Sequence, residues 1–246
     1  LSSKARLQAM VNYKAEVLCC TPTYALRLGE VFAEAKSEEV RNFQLQKIVV
    51  AGEPGGSLPQ VRQRISDLWK GVEVFDHHGM TEVGPVTYER RELPASLYVI
   101  EDSYLAEVID RETHEEAKPG EKGELVLTTL TRTACPLLRY RTGDLVEKSF
   151  FQPEGEEEPV FCLKGGILGR VDEMVVIRGV NIYPTAVEKI IRGFPDVVEF
   201  QVIQTTRQSM AELEVGLEAG PRAPTDLAEK VARELSDAFT LQIPVR

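Results

Sequence analysis

Up to Phe75 the chain alternates between helix-like spacing and short continuous apolar runs. Ser2 and Ser3 precede Leu7, Met10 and Val11, whose spacing predicts a capped helix reaching about Lys14. Val17-Leu18-Cys19-Cys20 reads as a buried strand. Thr21-Pro22 then opens a helix carrying Tyr24, Leu28, Val31 and Phe32, with proline suited to the first turn. Lys47-Ile48-Val49-Val50-Ala51 and Val72-Glu73-Val74-Phe75 are two more strands, separated by Gly52-Glu53-Pro54-Gly55-Gly56 and a helix from Ser57 to about Lys70. Strands this apolar, alternating with helices, predict a parallel sheet covered on both faces.

The texture changes after Phe75. Asp76-His77-His78-Gly79-Met80-Thr81-Glu82-Val83-Gly84-Pro85 is polar and punctuated by glycine, and it follows a strand. Ligands bind at such strand ends in open α/β sheets. From Val86 to Phe151 only short strands and turns are predicted, among them Tyr104 to Ile109, a turn at Lys118-Pro119-Gly120, and Glu124 to Thr128. This predicts a bent β-subdomain over about 86–168. Pro153 to Pro159, with its four glutamates, reads as a solvated loop.

From Gly169 onward the expected order is strand 171–177, helix 184–193, strands 197–204 and 211–218, and helix 225–239. One further strand would complete a split βαβ arrangement, and Leu241 to Arg246 reads like its beginning. The fold class expected is therefore α/β: part of a parallel-sheet domain with a β-rich subdomain over residues 1–168, then an α+β, ferredoxin-like unit over 169–246. The seam is Gly169 to Pro184, an apolar strand with bendable glycines at both ends. A plain β-turn-β element fits that pattern equally. Arg170, Asp172 and Arg178 place charge in a segment expected to be buried, which points to a working role. The chain begins with Leu1 and stops inside a strand-like run, so both ends are expected to be cut.

Composition narrows the function classes. The 246 residues include 43% hydrophobic ones, enough for a proper core. With 29 basic against 39 acidic side chains the formal charge is −10, which argues against nucleic-acid or anionic-membrane partners. No apolar run approaches a membrane span, and no signal-peptide pattern opens the chain. Cys19, Cys20, Cys135 and Cys162 form no metal or disulfide spacing, so reduced thiols, a cytoplasmic location and no zinc are expected.

Four separated motifs carry a resemblance: Gly52-Glu53-Pro54, His78-Gly79-Met80-Thr81-Glu82, Tyr140-Arg141-Thr142-Gly143-Asp144 and Gly169-Arg170-Val171-Asp172. In this order and spacing the chain resembles the adenylate-forming acyl-CoA synthetase superfamily. Leu137 to Asp144, Gly165 to Arg170 and Gly179 to Pro184 are most similar to its phenylacetate–CoA ligase branch. The resemblance implies a ligase that joins a small carboxylic acid, aryl or arylacetic, to ATP with loss of pyrophosphate, then passes the acyl group to coenzyme A. Such chemistry rests on positioning anions and neutralising charge.

It also implies roles residue by residue. Thr81 would hold the α-phosphate and Glu82 the Mg²⁺, which makes them catalytic together with Arg170, a ribose or phosphate contact. Gly52, Glu53 and Pro54 would lie along adenine, beside His78 and Gly79. Asp144 would accept the ribose hydroxyls. Asp172 would be a hinge for the second unit. Each motif keeps a structural alternative: a helix cap for Thr81-Glu82, a turn for Thr142-Gly143-Asp144, a tight-turn glycine for Gly52. Two departures stand out. The family's phosphate loop would lie before Leu1, and its catalytic lysine beyond Arg246, because Lys230 does not match. His78 stands where relatives carry tyrosine. Transfer to an acceptor other than coenzyme A, a non-catalytic nucleotide-binding module, and a homodimer are left open.

Overall fold

The computed structural model describes residues 2–35, 42–155, 157–207 and 210–246; Leu1 and Glu156, part of the expected cut start and of the acidic loop, lie outside them. The backbone divides into two compact units, Leu1–Leu168 and Gly169–Arg246.

The first unit opens with α1 (Ser3–Asn12), whose N-cap Ser2 Oγ accepts from the Ala5 N–H at 3.3 Å. Then come β1 (Val17–Cys20), α2 (Pro22–Glu34), β2 (Lys47–Val50), α3 (Pro59–Leu68) and β3 (Glu73–Asp76). The three strands are parallel in the order β1–β2–β3, and their register aligns Cys20, Val50 and Asp76 at one edge. Consecutive right-handed crossovers place successive helices on the same face, and α2 packs against α3. Ile48, Val50 and Val74 are buried with Leu28, Phe32, Ile65 and Trp69. Trp69 stacks on Phe32 with ring centroids 5.0 Å apart, and its Nε1–H donates to the Ala25 carbonyl at 2.9 Å. Within this chain α2 and α3 cover one face of the sheet and bury every second residue; on the other face Val17 and Cys19 are exposed, and Val49 and Phe75 are half-buried.

The expected loop after β3 is instead a tight hairpin, β4 (Gly79–Met80) and β5 (Gly84–Pro85). Six antiparallel strands follow without a helix, as expected: β6 (Thr87–Glu89), β7 (Ser96–Val99), β8 (Tyr104–Ile109), β9 (Lys122–Thr129), β10 (Tyr140–Phe151) and β11 (Val160–Lys164). Their order is β6–β7–β11–β10–β9–β8. The long β10 bends this layer, because it pairs with β9 up to Glu147 and with β11 from Lys148. Leu97, Leu125, Leu127, Val146 and Leu163 close a second core.

The second unit starts with β12 (Gly169–Arg170), followed by β13 (Val175–Ile177), β14 (Val180–Ile182), α4 (Pro184–Ile191), β15 (Val197–Arg207), β16 (Met210–Ala219) and α5 (Leu227–Phe239). The expected strand 171–177 is shorter than the apolar run suggested. Its C-terminal part turns back as a two-residue hairpin between β13 and β14. Arg178 and Gly179, at φ 50° and 84°, supply the two positive angles that such a turn needs. The charges of this segment lie outside the core: Arg178 pairs with Glu212 at 3.1 Å and Asp172 is exposed. Ile182, Ile191, Val215, Val231 and Leu235 form a third core. Beyond α5, Val245 makes an isolated parallel bridge to Val215, and Arg246 N–H donates to Val215 O at 3.0 Å. Among the described residues no helix is long and apolar enough to cross a membrane.

Candidate functional site

Backbone segments converge at the carboxyl edge of β1–β3, where parallel strands present their loops. His77 N–H donates to Val50 O at 3.0 Å, which ties the segment after β3 to the end of β2. Ala51 N–H donates to Cys20 O at 3.1 Å, which ties that end to β1. Gly52 then turns with φ +91°, exposed. The Glu53 carboxylate reaches back to accept the Thr23 N–H at 2.6 Å in the first turn of α2. An anionic side chain there meets the positive end of the helix dipole. Glu53 thus holds its own loop in place through a side chain, leaving its backbone and Pro54 along the edge.

His78 is fixed from both sides. Its N–H donates to Thr87 Oγ1 at 2.9 Å, and its carbonyl accepts from Val86 and Thr87 N–H at 3.0 and 3.1 Å. The imidazole Nε2 lies 3.3 Å from Asp144 Oδ2, with the two side chains 11% and 5% exposed. Asp144 reaches this position through a β-bulge: the β9–β10 register shifts between Arg141 and Leu145. Thr142 Oγ1 locks the bulge by donating to Leu125 O at 2.9 Å and accepting from Asp144 N–H at 3.1 Å. The buried Glu124 carboxylate adds a brace, accepting Arg141 Nε–H at 2.9 Å and Gly143 N–H at 3.3 Å. A bulge beside a site re-aims one side chain out of the regular alternation, and here that side chain is Asp144. The geometry shows more than a bare turn, and it brings His78 and Asp144 together from two motifs 66 residues apart.

Thr81 and Glu82 project from the tip of the β4–β5 hairpin, both exposed. At its base Gly79 runs so close to Gly84 that a Cβ would sit 2.8 Å from that carbonyl. Tyr104 Oη–H donates to Val83 O at 2.7 Å, and the Arg132 guanidinium donates to Glu82 O, so two distant side chains hold the tip by its backbone. The Glu82 carboxylate and Thr81 hydroxyl therefore face water from a fixed tip. One carboxylate beside a hydroxyl suits Mg²⁺, which takes one or two protein carboxylates and fills its shell with phosphate oxygens and water.

The second unit carries Arg170 and Asp172, joined by a bidentate contact from Arg170 Nε and Nη2 at 3.0 and 3.2 Å. This hydrogen bonding from Arg170 holds the exposed Asp172 carboxyl below the ordinary carboxylate range.

Six participants were not singled out in the sequence: Asp76, Ser57, Arg62, Glu89, Glu124 and Arg132. Asp76, the last residue of β3, is buried; Ser57 Oγ–H donates to its Oδ2 at 2.5 Å and His77 N–H to its Oδ1 at 2.9 Å. Burial first of all pushes its carboxyl up to about 6. Beneath it, Arg62 grips Glu89 through two contacts of 2.9 and 2.8 Å, and Glu89 accepts the Asp76 N–H at 2.5 Å. Asp76 was readable as a carboxylate closing an apolar parallel strand. Glu124, at the head of an apolar run, offered a similar signal, whereas Arg132 and Ser57 offered none.

The candidate site of the first unit thus has three parts: an open parallel α/β edge, a bulged antiparallel layer that supplies a buried carboxylate, and a hydroxyl–carboxylate hairpin tip. The chain belongs to the AMP-binding enzyme family: the pattern described as "AMP-binding enzyme" matches residues 1–131, and "AMP-binding enzyme C-terminal domain" matches residues 179–246. It is 33% identical over 237 residues to the phenylacetate-coenzyme A ligase of Thermus thermophilus, covering 93% of this chain and 51% of that one. With the enzyme of the same name from Aromatoleum evansii it shares 30% identity over 240 residues, 95% of this chain and 52% of that one. A crystal structure of 2-hydroxyisobutyryl-CoA ligase in the postadenylation state, in complex with R3-HIB-AMP, superposes with a TM-score of 0.84 at 27% identity, covering 99% of this chain and 53% of that one. The chain spans about half the length of the curated relatives it matches.

Proposed function

We propose that the protein to which this chain belongs is an ATP-dependent carboxylate–CoA ligase acting on an aryl or arylacetic acid. Two relatives named phenylacetate-coenzyme A ligase support the substrate class. The observation that carries the reading is Asp144, aimed out of a locked bulge to within 3.3 Å of His78 beside the open edge of the parallel sheet. In this reading Asp144 accepts the ribose hydroxyls. Gly52, Glu53 and Pro54 offer backbone along adenine, with His78 and Gly79 on the facing segment. Thr81 donates to the α-phosphate, and Glu82 supplies the protein carboxylate for Mg²⁺, whose charge offsets that of the phosphates. Arg170 exchanges its Asp172 partner for the nucleotide, and Asp172 is the hinge residue of the second unit. An in-line attack of the acid carboxylate on the α-phosphorus breaks the bond to pyrophosphate and leaves an acyl-adenylate. The thiol of coenzyme A then displaces AMP. The free cysteines suit a reducing, cytoplasmic setting.

Pyrophosphate exchange by the full-length protein with a panel of acids tests the adenylation, and addition of coenzyme A tests the transfer. Acid-dependent exchange followed by thioester is expected. Exchange without thioester refutes coenzyme A as acceptor, and no exchange with any acid refutes the enzyme reading.

A further inference from the structure

The tip of the β4–β5 hairpin sits in a closed ring of contacts. Met80 O accepts the Val83 N–H at 3.3 Å, so Thr81 and Glu82 take the two central places of a turn, and both are exposed. The next two carbonyls, those of Glu82 and Val83, are each gripped from a distance. Tyr104 of β8 donates its hydroxyl to Val83 O at 2.7 Å, and Arg132 of the β9–β10 loop donates Nη1–H to Glu82 O across 50 residues of chain. The two anchors are tied to each other, because Leu130 N–H donates at 2.9 Å to the carbonyl of Ser103, the neighbour of Tyr104. The neck of the loop is closed as well. Thr129 N–H donates to Leu137 O and Leu137 N–H to Thr129 Oγ1, both at 2.9 Å, and Arg139 N–H donates to Thr128 Oγ1 at 3.0 Å. The same loop runs on into β10 and the Asp144 bulge. Arg132 is exposed, and the proposed chemistry gives it no role.

We propose that Arg132 is a positioning residue for the metal: by holding the Glu82 carbonyl, its guanidinium fixes the direction in which the Glu82 carboxylate meets Mg²⁺ at the nucleotide phosphates. This rests on the ligase reading above. The peptide between Glu82 and Val83 is a rigid plane, so its rotation would swing the Glu82 side chain, and a donor fixed on its carbonyl resists that rotation. Mg²⁺ demands near-ideal octahedral geometry, so a carboxylate that swings binds it less well. Arginine suits the task because it is always charged, and charge-assisted hydrogen bonds are the stronger kind. The grip is on the carbonyl, which leaves the exposed carboxylate to the metal. Stability does not explain the contact, since at an exposed tip water can take the place of either partner.

The test is Mn²⁺ binding, as a stand-in for Mg²⁺, to the full-length protein with a non-hydrolysable ATP analogue, read by electron paramagnetic resonance. The Mg²⁺ dependence of pyrophosphate exchange is measured beside it. Arg132→Met keeps the stem and removes every donor. The Mn²⁺ Kd and the Mg²⁺ concentration for half-maximal exchange are expected to rise together, about tenfold, while the acid KM stays within about threefold. Only one guanidinium nitrogen makes the contact, so Arg132→Lys keeps the charge and a sufficient donor. It is expected to bring both constants back to within about threefold of wild type. The side chain is exposed, so both variants are expected to fold. Unchanged Mn²⁺ affinity in Arg132→Met, an acid KM that rises as far as the metal constants, or no recovery with lysine overturns the proposal. Absence of exchange in the wild type overturns the ligase reading instead, and the Mn²⁺ comparison still decides the part played by Arg132.

Discussion

Replacing Asp76 by Asn should stabilise the protein at alkaline pH and do nothing at acid pH. In the folded chain burial lifts this carboxyl from 3.8 to about 6. Folding then favours the protonated form by about two pH units, or roughly 3 kcal/mol, at the usual 1.36 kcal/mol per unit. The sign follows from proton counts. Between the unfolded and folded values the native state holds more protons, so the contribution of Asp76 is fully present below 3.8 and is lost as pH rises through about 6. Above that the ionised side chain costs up to ~3 kcal/mol relative to a neutral one of the same shape. Asn is such a side chain. Urea denaturation of wild type and Asp76→Asn at several pH values should give curves that converge as pH falls below 3.8 and separate by up to ~3 kcal/mol near pH 8, the variant being the more stable. Other titrating groups are common to both proteins and drop out of the difference. A variant less stable than wild type near pH 8, or a gap that does not change with pH, would refute the reasoning.

Further expectations follow from the same geometry. Asp144→Ala should weaken ATP binding by roughly 1.5–3 kcal/mol per charged hydrogen bond lost, read by titration calorimetry; unchanged affinity removes Asp144 from the site. Thr142→Val should weaken ATP binding too, because the hydroxyl between Leu125 O and Asp144 N–H locks the bulge; a change in melting temperature with no change in affinity would limit it to structure. Asp172→Pro, which fixes a backbone angle at the proposed hinge, should spare pyrophosphate exchange and slow thioester formation; equal loss of both sinks the hinge. Trp69→Ala opens the core between α2 and α3 and should cost about 3–5 kcal/mol in denaturant melts; a loss below ~1 kcal/mol would mean the aromatic stack is not the keystone its burial suggests.

Much of the architecture could be read from periodicity, for identifiable reasons. Apolar runs such as Val17–Cys20 and Lys47–Val50 are too short for helices and are bounded by turn residues, so strands follow; Thr21-Pro22 caps α2 as spacing implies. Where the pattern failed, a tertiary term had taken over. The run from Val171 to Ile177 carries enough apolar residues to read as one strand, yet Arg178-Gly179 accepts a left-handed turn, and the strand shortens to pair with its own continuation. The segment after Phe75 reads as loop because glycine and polar residues dominate it; β4 and β5 pair there all the same, and the Tyr104 and Arg132 side chains hold the tip from afar. The candidate site could be proposed from the sequence where its motifs are local, in Thr81-Glu82 and Asp144. Its supports were not. Ser57, Glu89 and Arg62 act through contacts spanning 13 to 27 residues that no local pattern records.

In the proposed function the carboxyl edge of β1–β3 builds a site for adenylation of a carboxylic acid. The most direct measurement is exchange of labelled pyrophosphate into ATP by the full-length protein, with phenylacetate present or omitted, in wild type and Asp144→Ala. Exchange is expected to require the acid and ATP together, with a raised ATP KM in the variant. Exchange that ignores the acid, or a variant that matches wild type at limiting ATP, would contradict it.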